Sequence, residues 1–137
     1  MDNRIIISTT INSDLENVWV KYTDTAHITK WNFADLSWHC PNAENDLKIG
    51  GIYKARMEAK DGSFGFDFEA RYTELKELNE FTYKFGERFA NVKFSKQGYK
   101  TQITIAFDPE NENPIDMQRA GWKSILENFK NYVESNN

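Results

Sequence analysis

Cysteine is nearly absent from this sequence, with Cys40 alone among 137 residues. One thiol closes no internal disulfide, so the fold must rest on packing, and a reducing compartment, the cytoplasm, is the expected setting. No cation or base near Cys40 in sequence would hold its thiolate, so a small buried apolar side chain is expected rather than a nucleophile. Histidine is almost as scarce, with only His27 and His39. Neither has a second ligand at metal spacing. His39 and Cys40 are neighbours, but adjacent residues of an extended chain point to opposite faces. No metal centre is expected. His27 reads as a surface residue, and His39 as a loop histidine that is solvated or hydrogen-bonded, with a cavity mouth beside Trp38 as its other setting.

Other absences narrow the function further. No apolar run approaches the roughly 20 residues of a membrane span. Ile5, Ile6 and Ile7 follow no basic region and open no long apolar one, so no signal peptide is expected. The net charge is −4 and the signs are interspersed, which leaves no basic stripe for nucleic acid. Gly50-Gly51 has no Gly-x-x-x-x-Gly-Lys context and precedes a strand, so it marks a turn or bulge and not a phosphate loop. No catalytic motif or cofactor signature is present.

Aromatic rings are plentiful, at 15% of residues against 39% for all apolar types. Large stiff rings are hard to pack without gaps, while interiors normally pack densely. A pocket and a solid aromatic core both fit this composition. The length suits one domain over residues 1–137.

Periodicity supplies the elements. Residues 4–11 are β-branched and read as a first strand. Ser13 and Glu16 have the spacing of a capping box ahead of Leu15, Val18, Trp19 and Tyr22, which recur as one helical face. Residues 25–30 make a second short helix. Residues 35–46 have no clear period, with one short strand at 36–40. From Gly51 the pattern alternates: Tyr53, Ala55, Met57 and Ala59 share a face. Asp61-Gly62 signals a hairpin. Phe64, Phe66, Phe68, Ala70 and Tyr72 follow, and Leu75 and Leu78 end that ribbon. Phe81, Tyr83 and Phe85 come next, then Ala90, Val92 and Phe94, and finally Tyr99, Thr101, Ile103, Ile105 and Phe107. The intervening Gly86-Glu87-Arg88 and Gln97-Gly98 read as turns. This is a meander with one dry and one wet face.

Arg56, Glu58, Asp67, Glu69 and Arg71 fall on the wet face as cross-strand charge pairs. A bulge that turned Arg56 or Glu69 inward would give a polar ligand contact. Tyr53, Tyr72, Tyr83 and Tyr99 fall on the dry face, where their hydroxyls need partners. Asn113-Pro114 opens a long helix to about Glu134, with Asn113 as its cap. Ile115, Gln118, Trp122, Ile125, Leu126, Phe129, Tyr132 and Val133 form its apolar face. Gln118 is a further polar candidate for a ligand. Met117 and Gly121 flank the face. Gly121 costs roughly 1 kcal/mol relative to Ala, either for close helix–sheet approach or simply tolerated. A sheet with one dry face must be covered, and this helix is the large apolar element left to cover it. The expected class is α+β: a curved antiparallel sheet wrapped around a long C-terminal helix, with two short helices after the first strand.

Four stretches carry a family resemblance: Ile11 through Val18-Trp19, Ile28-Thr29-Lys30-Trp31, Lys48-Ile49-Gly50-Gly51-Ile52-Tyr53, and Ala120-Gly121-Trp122 with Ile125, Leu126 and Phe129. In their order and spacing the chain resembles the heat-shock-protein-90 ATPase activator-like family, within the START-like, helix-grip superfamily that includes polyketide cyclases and the birch pollen allergen. The resemblance implies a cavity between helix and sheet. Its lining would fall on Trp31, on Tyr53 and Met57, on Phe66 and Phe68, on Tyr83 and Phe85, on Val92 and Phe94, on Ile103, and on Met117 and Trp122. Members include ligand carriers, cyclase-like enzymes, stress-associated proteins and chaperone activators, so fold does not fix function. The expected function is binding of an apolar or aromatic small molecule, as a monomer or weak homodimer with no nucleic-acid or membrane partner. A cyclase- or hydrolase-like enzyme, a chaperone-interaction module and a closed core without ligand remain the alternatives.

Overall fold

A computed structural model describes residues 3–135 of the chain. Residues 1, 2, 136 and 137, which the single-domain reading includes, lie outside the described residues. The order is β1 (Ile5–Ile11), α1 (Leu15–Thr23), α2 (Thr25–Trp31), β2 (Trp38–His39), β3 (Ala43–Asn45), β4 (Ile52–Ala59), β5 (Gly65–Lys76), β6 (Glu80–Phe85), β7 (Arg88–Gln97), β8 (Lys100–Phe107) and α3 (Ile115–Ser135). The strands form one antiparallel sheet in the order β1-β8-β7-β6-β5-β4-β2, with β3 also paired to β4. The meander is therefore consecutive from β4 to β8, while β2 skips β3 to pair with β4 and β1 reaches across the sequence to β8. The sheet curls into a half-barrel around α3, which is the helix-grip arrangement.

The alternation governs burial on β4, β6, β7 and β8, where Tyr53, Ala55, Met57, Phe81, Tyr83, Phe85, Ala90, Val92, Phe94, Ile103, Ile105 and Phe107 are all buried. On β5 the register shifts between Tyr72 and Glu74. The extra residue moves the inward phase from Tyr72 to Leu75 and bends the strand. Because the irregularity lies there, Arg56 and Glu69 keep their outward phase. Arg56 Nε donates to Glu58 Oε2 at 2.8 Å and Nη1 lies 3.5 Å from Asp67 Oδ1.

Several local expectations need correction. The cap of α1 is Asp14, whose Oδ1 accepts the Asn17 N–H at 2.7 Å. A carboxylate beside the free N–H groups of the first turn gains from the helix dipole as well as the hydrogen bond. Ser13 instead accepts from Asn17 Nδ2 at 2.8 Å. Trp31 closes α2 rather than leaving it. The strand expected over 36–40 is only Trp38–His39, and Leu36 is exposed. The β7–β8 ladder ends at Gln97 and Lys100, so Tyr99 sits in the turn and is 94% exposed. Phe64 precedes the β5 ladder and is likewise exposed. On α3, Ile115 is exposed, and Pro114 rather than Asn113 offers the first accepting carbonyl, to the Gln118 N–H at 3.1 Å.

Two glycines behave differently. A Cβ on Gly51 would overlap the Asp46 carbonyl oxygen and sit 3.0 Å from the Lys48 carbonyl oxygen. The Gly50-Gly51 bend needs that missing atom, since the Gly51 N–H also donates to Lys48 O at 2.9 Å. Gly121 is the opposite case, because a Cβ there meets nothing within 4 Å. No close helix–sheet approach demands it. Gly121→Ala is therefore expected to stabilise the domain by about 0.5–1 kcal/mol, read as a higher midpoint in urea unfolding with an unchanged slope.

Among the described residues no helix is long and apolar enough to cross a membrane.

Candidate ligand cavity

The core is not filled evenly. At one end of the half-barrel, Trp19 from α1 stands edge-on to Phe94 with ring centres 5.0 Å apart and also meets Phe81 at 6.2 Å. Tyr22, one helical turn on, meets Phe94 at 5.5 Å and Phe129 of α3 at 4.9 Å. These rings close that end. Toward the other end Trp122 covers part of the sheet's inner face by stacking flat on Phe107, with centres 3.9 Å apart and planes 9° apart. Between the two ends a cavity of about 280 Å³ remains, near the lower limit of small-molecule sites.

Eight of the twelve residues expected to line a cavity do line this one: Trp31, Tyr53, Met57, Phe66, Phe68, Tyr83, Phe85 and Trp122. Val92, Phe94 and Ile103 belong to the closed end and are 0%, 5% and 0% exposed. Sequence alternation runs the whole length of β7 and β8, so it does not distinguish the filled end from the hollow one. Trp19 makes that distinction. Met117 lies on the outside of α3, 60% exposed, because it is about 100° around the helix from the inward Gln118. Tyr22, Asn32, Arg88, Ile105, Ile125 and Leu126 complete the lining.

Arg88 is the informative omission. It begins β7 and does not belong to the turn. Its number has the same parity as Ala90, Val92 and Phe94, so the alternation already places it on the dry face. It pairs in register with Phe85, and its guanidinium lies 4.7 Å from that ring's centre. Nη1 donates to the Asp108 carbonyl at 3.3 Å. Among the described residues no carboxylate pairs with it.

The tyrosine hydroxyls divide into two classes. Tyr53 Oη accepts from Asn32 Nδ2 at 3.1 Å. Tyr72 Oη donates to Asn45 Oδ1 at 2.8 Å, and Asn45 Nδ2 in turn donates to the Thr23 carbonyl at 2.7 Å. Tyr22 and Tyr83 have no hydrogen-bond partner among the described residues. No sealed side-chain polar atom lacks a partner among those residues, so these two hydroxyls open onto the cavity they line.

Burial pushes the Tyr22, Tyr53, Tyr72 and Tyr83 phenols up, and mutual proximity adds to the effect for all but Tyr72. All four are neutral donors at neutral pH. A group with its folded pKa above its unfolded value keeps its proton longer when folded. The stability it lends is complete below the ordinary tyrosine value of about 10 and is lost as pH rises above it. Urea midpoints should therefore hold steady up to about pH 9 and then fall steeply, with these phenols ionising as the chain unfolds and not before.

The remaining sequence candidates serve the scaffold. Gln118 is buried, and its Nε2 donates to the Glu110 and Asn113 carbonyls at 3.1 and 2.8 Å. Its Oε1 accepts the Glu110 N–H at 2.9 Å. It straps the loop before α3 to the helix and has no donor left for a ligand. Cys40 is buried, and burial pushes its thiol up to about 11. His27 Nδ1 lies 2.6 Å from Tyr132 Oη, so it joins α2 to α3 and is not free on the surface. His39 Nε2 lies 3.5 Å from Glu58 Oε1, outside the cavity. Among the described residues no three His, Cys, Asp or Glu side chains gather as a metal site.

This architecture has relatives. The family model described as activator of Hsp90 ATPase homolog 1-like protein matches residues 12–134. The chain belongs to this family. The AHSA1-like protein from Aeromonas hydrophila is 35% identical, over 96% of this chain and 93% of that one, with a TM-score of 0.88. A protein from Cytophaga hutchinsonii is 41% identical, over 98% of this chain and 94% of that one, with a TM-score of 0.84. A protein from Nitrosomonas europaea keeps the fold at 13% identity, over 98% of this chain and 96% of that one, with a TM-score of 0.84. No curated protein matches the chain. The AHSA1-like match spans both α1, which closes one end of the cavity, and α3, which walls it.

Proposed function

We propose that this AHSA1-like chain binds a small apolar or aromatic molecule between its sheet and α3. The observation that carries the reading is the cavity of about 280 Å³ lined mainly by rings. Two neutral hydroxyls and one cation supply the few polar groups that orient a ligand in a mostly apolar site. An acid–base enzyme would need a cavity-facing group with a pKa near neutrality. The ionisable groups that line this cavity are tyrosines held protonated and Arg88. That favours binding over proton transfer. Phe66, part of the lining, continues outward to Trp38 and Phe64 with ring centres 6.1 and 6.2 Å away, which gives an apolar ligand an aromatic approach to the interior.

Trp31 and Trp122 line the cavity, so indole fluorescence reports on its contents. A panel of one- and two-ring aromatic molecules should include members that change this emission saturably at one per chain and raise the melting temperature. Absence of any saturable change across the panel would contradict the reading.

A further inference from the structure

The cavity has two chemically different poles. At the closed end stand the Tyr22 and Tyr83 hydroxyls, each side chain more than nine-tenths buried and without a protein partner among the described residues. Each hydroxyl opens onto the cavity it lines, where its O–H is available to a ligand acceptor. At the other end stands Arg88, opposite Phe85 beside the β6–β7 turn. Tyr22 touches Phe81, four residues earlier on the same strand. Four strand residues span about 13 Å, so the poles lie on the order of 10 Å apart. The wall between them is made of rings, including Phe68 and Phe85 with centres 5.2 Å apart.

Building on the binding function above, we infer that the ligand is a flat aromatic carboxylic acid with an acceptor oxygen at its far end. Its carboxylate meets Arg88, its ring body lies among the phenylalanines, and its ether or carbonyl oxygen accepts from Tyr22 and Tyr83. The Arg88 guanidinium has only donors, so its pole takes an anion or a neutral acceptor and repels a cation. Both tyrosines stay protonated because burial raises them, so each has an O–H to offer a ligand oxygen. The Arg88 bond to Asp108 O is long at 3.3 Å, and its other nitrogens are free to form a charge-assisted pair.

Three probes test this by fluorescence titration: 6-methoxy-2-naphthoate, its neutral amide, and 6-ethyl-2-naphthoate, in which a methylene replaces the ether oxygen. The methoxy acid should bind at least about tenfold more tightly than either analogue, as expected for one charge-assisted or one buried hydrogen bond. Arg88→Met should abolish the preference for acid over amide by weakening the acid far more than the amide, and Arg88→Lys should keep most of it. Tyr83→Phe should reduce the preference for methoxy over ethyl, and the double variant with Tyr22→Phe should abolish it. Tyr83→Phe alone should leave the unliganded protein's stability unchanged, since that hydroxyl has no protein partner to lose. Equal binding of acid and amide, or a preference that survives Arg88→Met, would overturn the assignment while the binding function stood. Failure of all three probes while members of the aromatic panel bind would likewise overturn the assignment alone, and failure of the panel as well would remove both.

Discussion

Phe129→Ala is expected to destabilise the domain by about 3–5 kcal/mol, the range for deleting a fully buried ring. Phe129 is fully buried in the C-terminal half of the gripped helix. Its ring meets Tyr22 at 4.9 Å and Trp31 at 4.8 Å, both edge-on. It therefore joins α1, α2 and α3 at the point where the cavity ends. The lost ring would leave a void that stiff aromatic neighbours cannot collapse to fill, so the cost should fall near the top of the range. Total domain stabilities are about 5–15 kcal/mol, so a large part of the fold's margin should vanish. Chemical unfolding monitored by circular dichroism checks this. A loss under about 1 kcal/mol would mean that the grip does not depend on this contact.

Ile125→Phe should lower the affinity for aromatic ligands about 100-fold, the upper part of the roughly 1–3 kcal/mol cost of overfilling a site, with little loss of stability. Ile125 lines the cavity and is half-buried on α3. A larger ring there can grow into the empty volume. Adding bulk to a packed core instead costs about 1–3 kcal/mol through forced rotamers and backbone shifts. The sign of the stability change thus reports whether space exists at Ile125, and the binding change reports whether ligands use it. Unfolding and titration of the same variant separate the two.

The sequence made some of this legible and hid the rest for specific reasons. The meander followed from period-two alternation, and α3 followed from its apolar face and the Asn113-Pro114 start. Both signals are local. The hollow is not local. Val92, Phe94 and Ile103 read the same as Tyr83 and Phe85, and only the placement of Trp19 across the sheet separates filled from empty. The β5 irregularity at Thr73 had no glycine to mark it. Tyr99 kept the right parity but fell in a turn, where parity carries no facing information. Arg88 was the reverse: its parity was right, and its charge and its place after Gly86-Glu87 suggested a turn. The roles of Gln118 and His27 depended on partners in α3 or its approach loop that single-sequence patterning does not reveal.

The central claim is that a small aromatic molecule enters the space between sheet and α3. Nuclear magnetic resonance with methyl-labelled protein and 6-methoxy-2-naphthoate tests it most directly. The account predicts intermolecular nuclear Overhauser effects from the ligand to the methyls of Met57, Ile105, Ile125 and Leu126, which all line the cavity. Ile6, in the hollow on the sheet's outer face with Phe89 and Thr104, should give none. Ligand contacts confined to Ile6, or no contacts at saturating ligand, would contradict it.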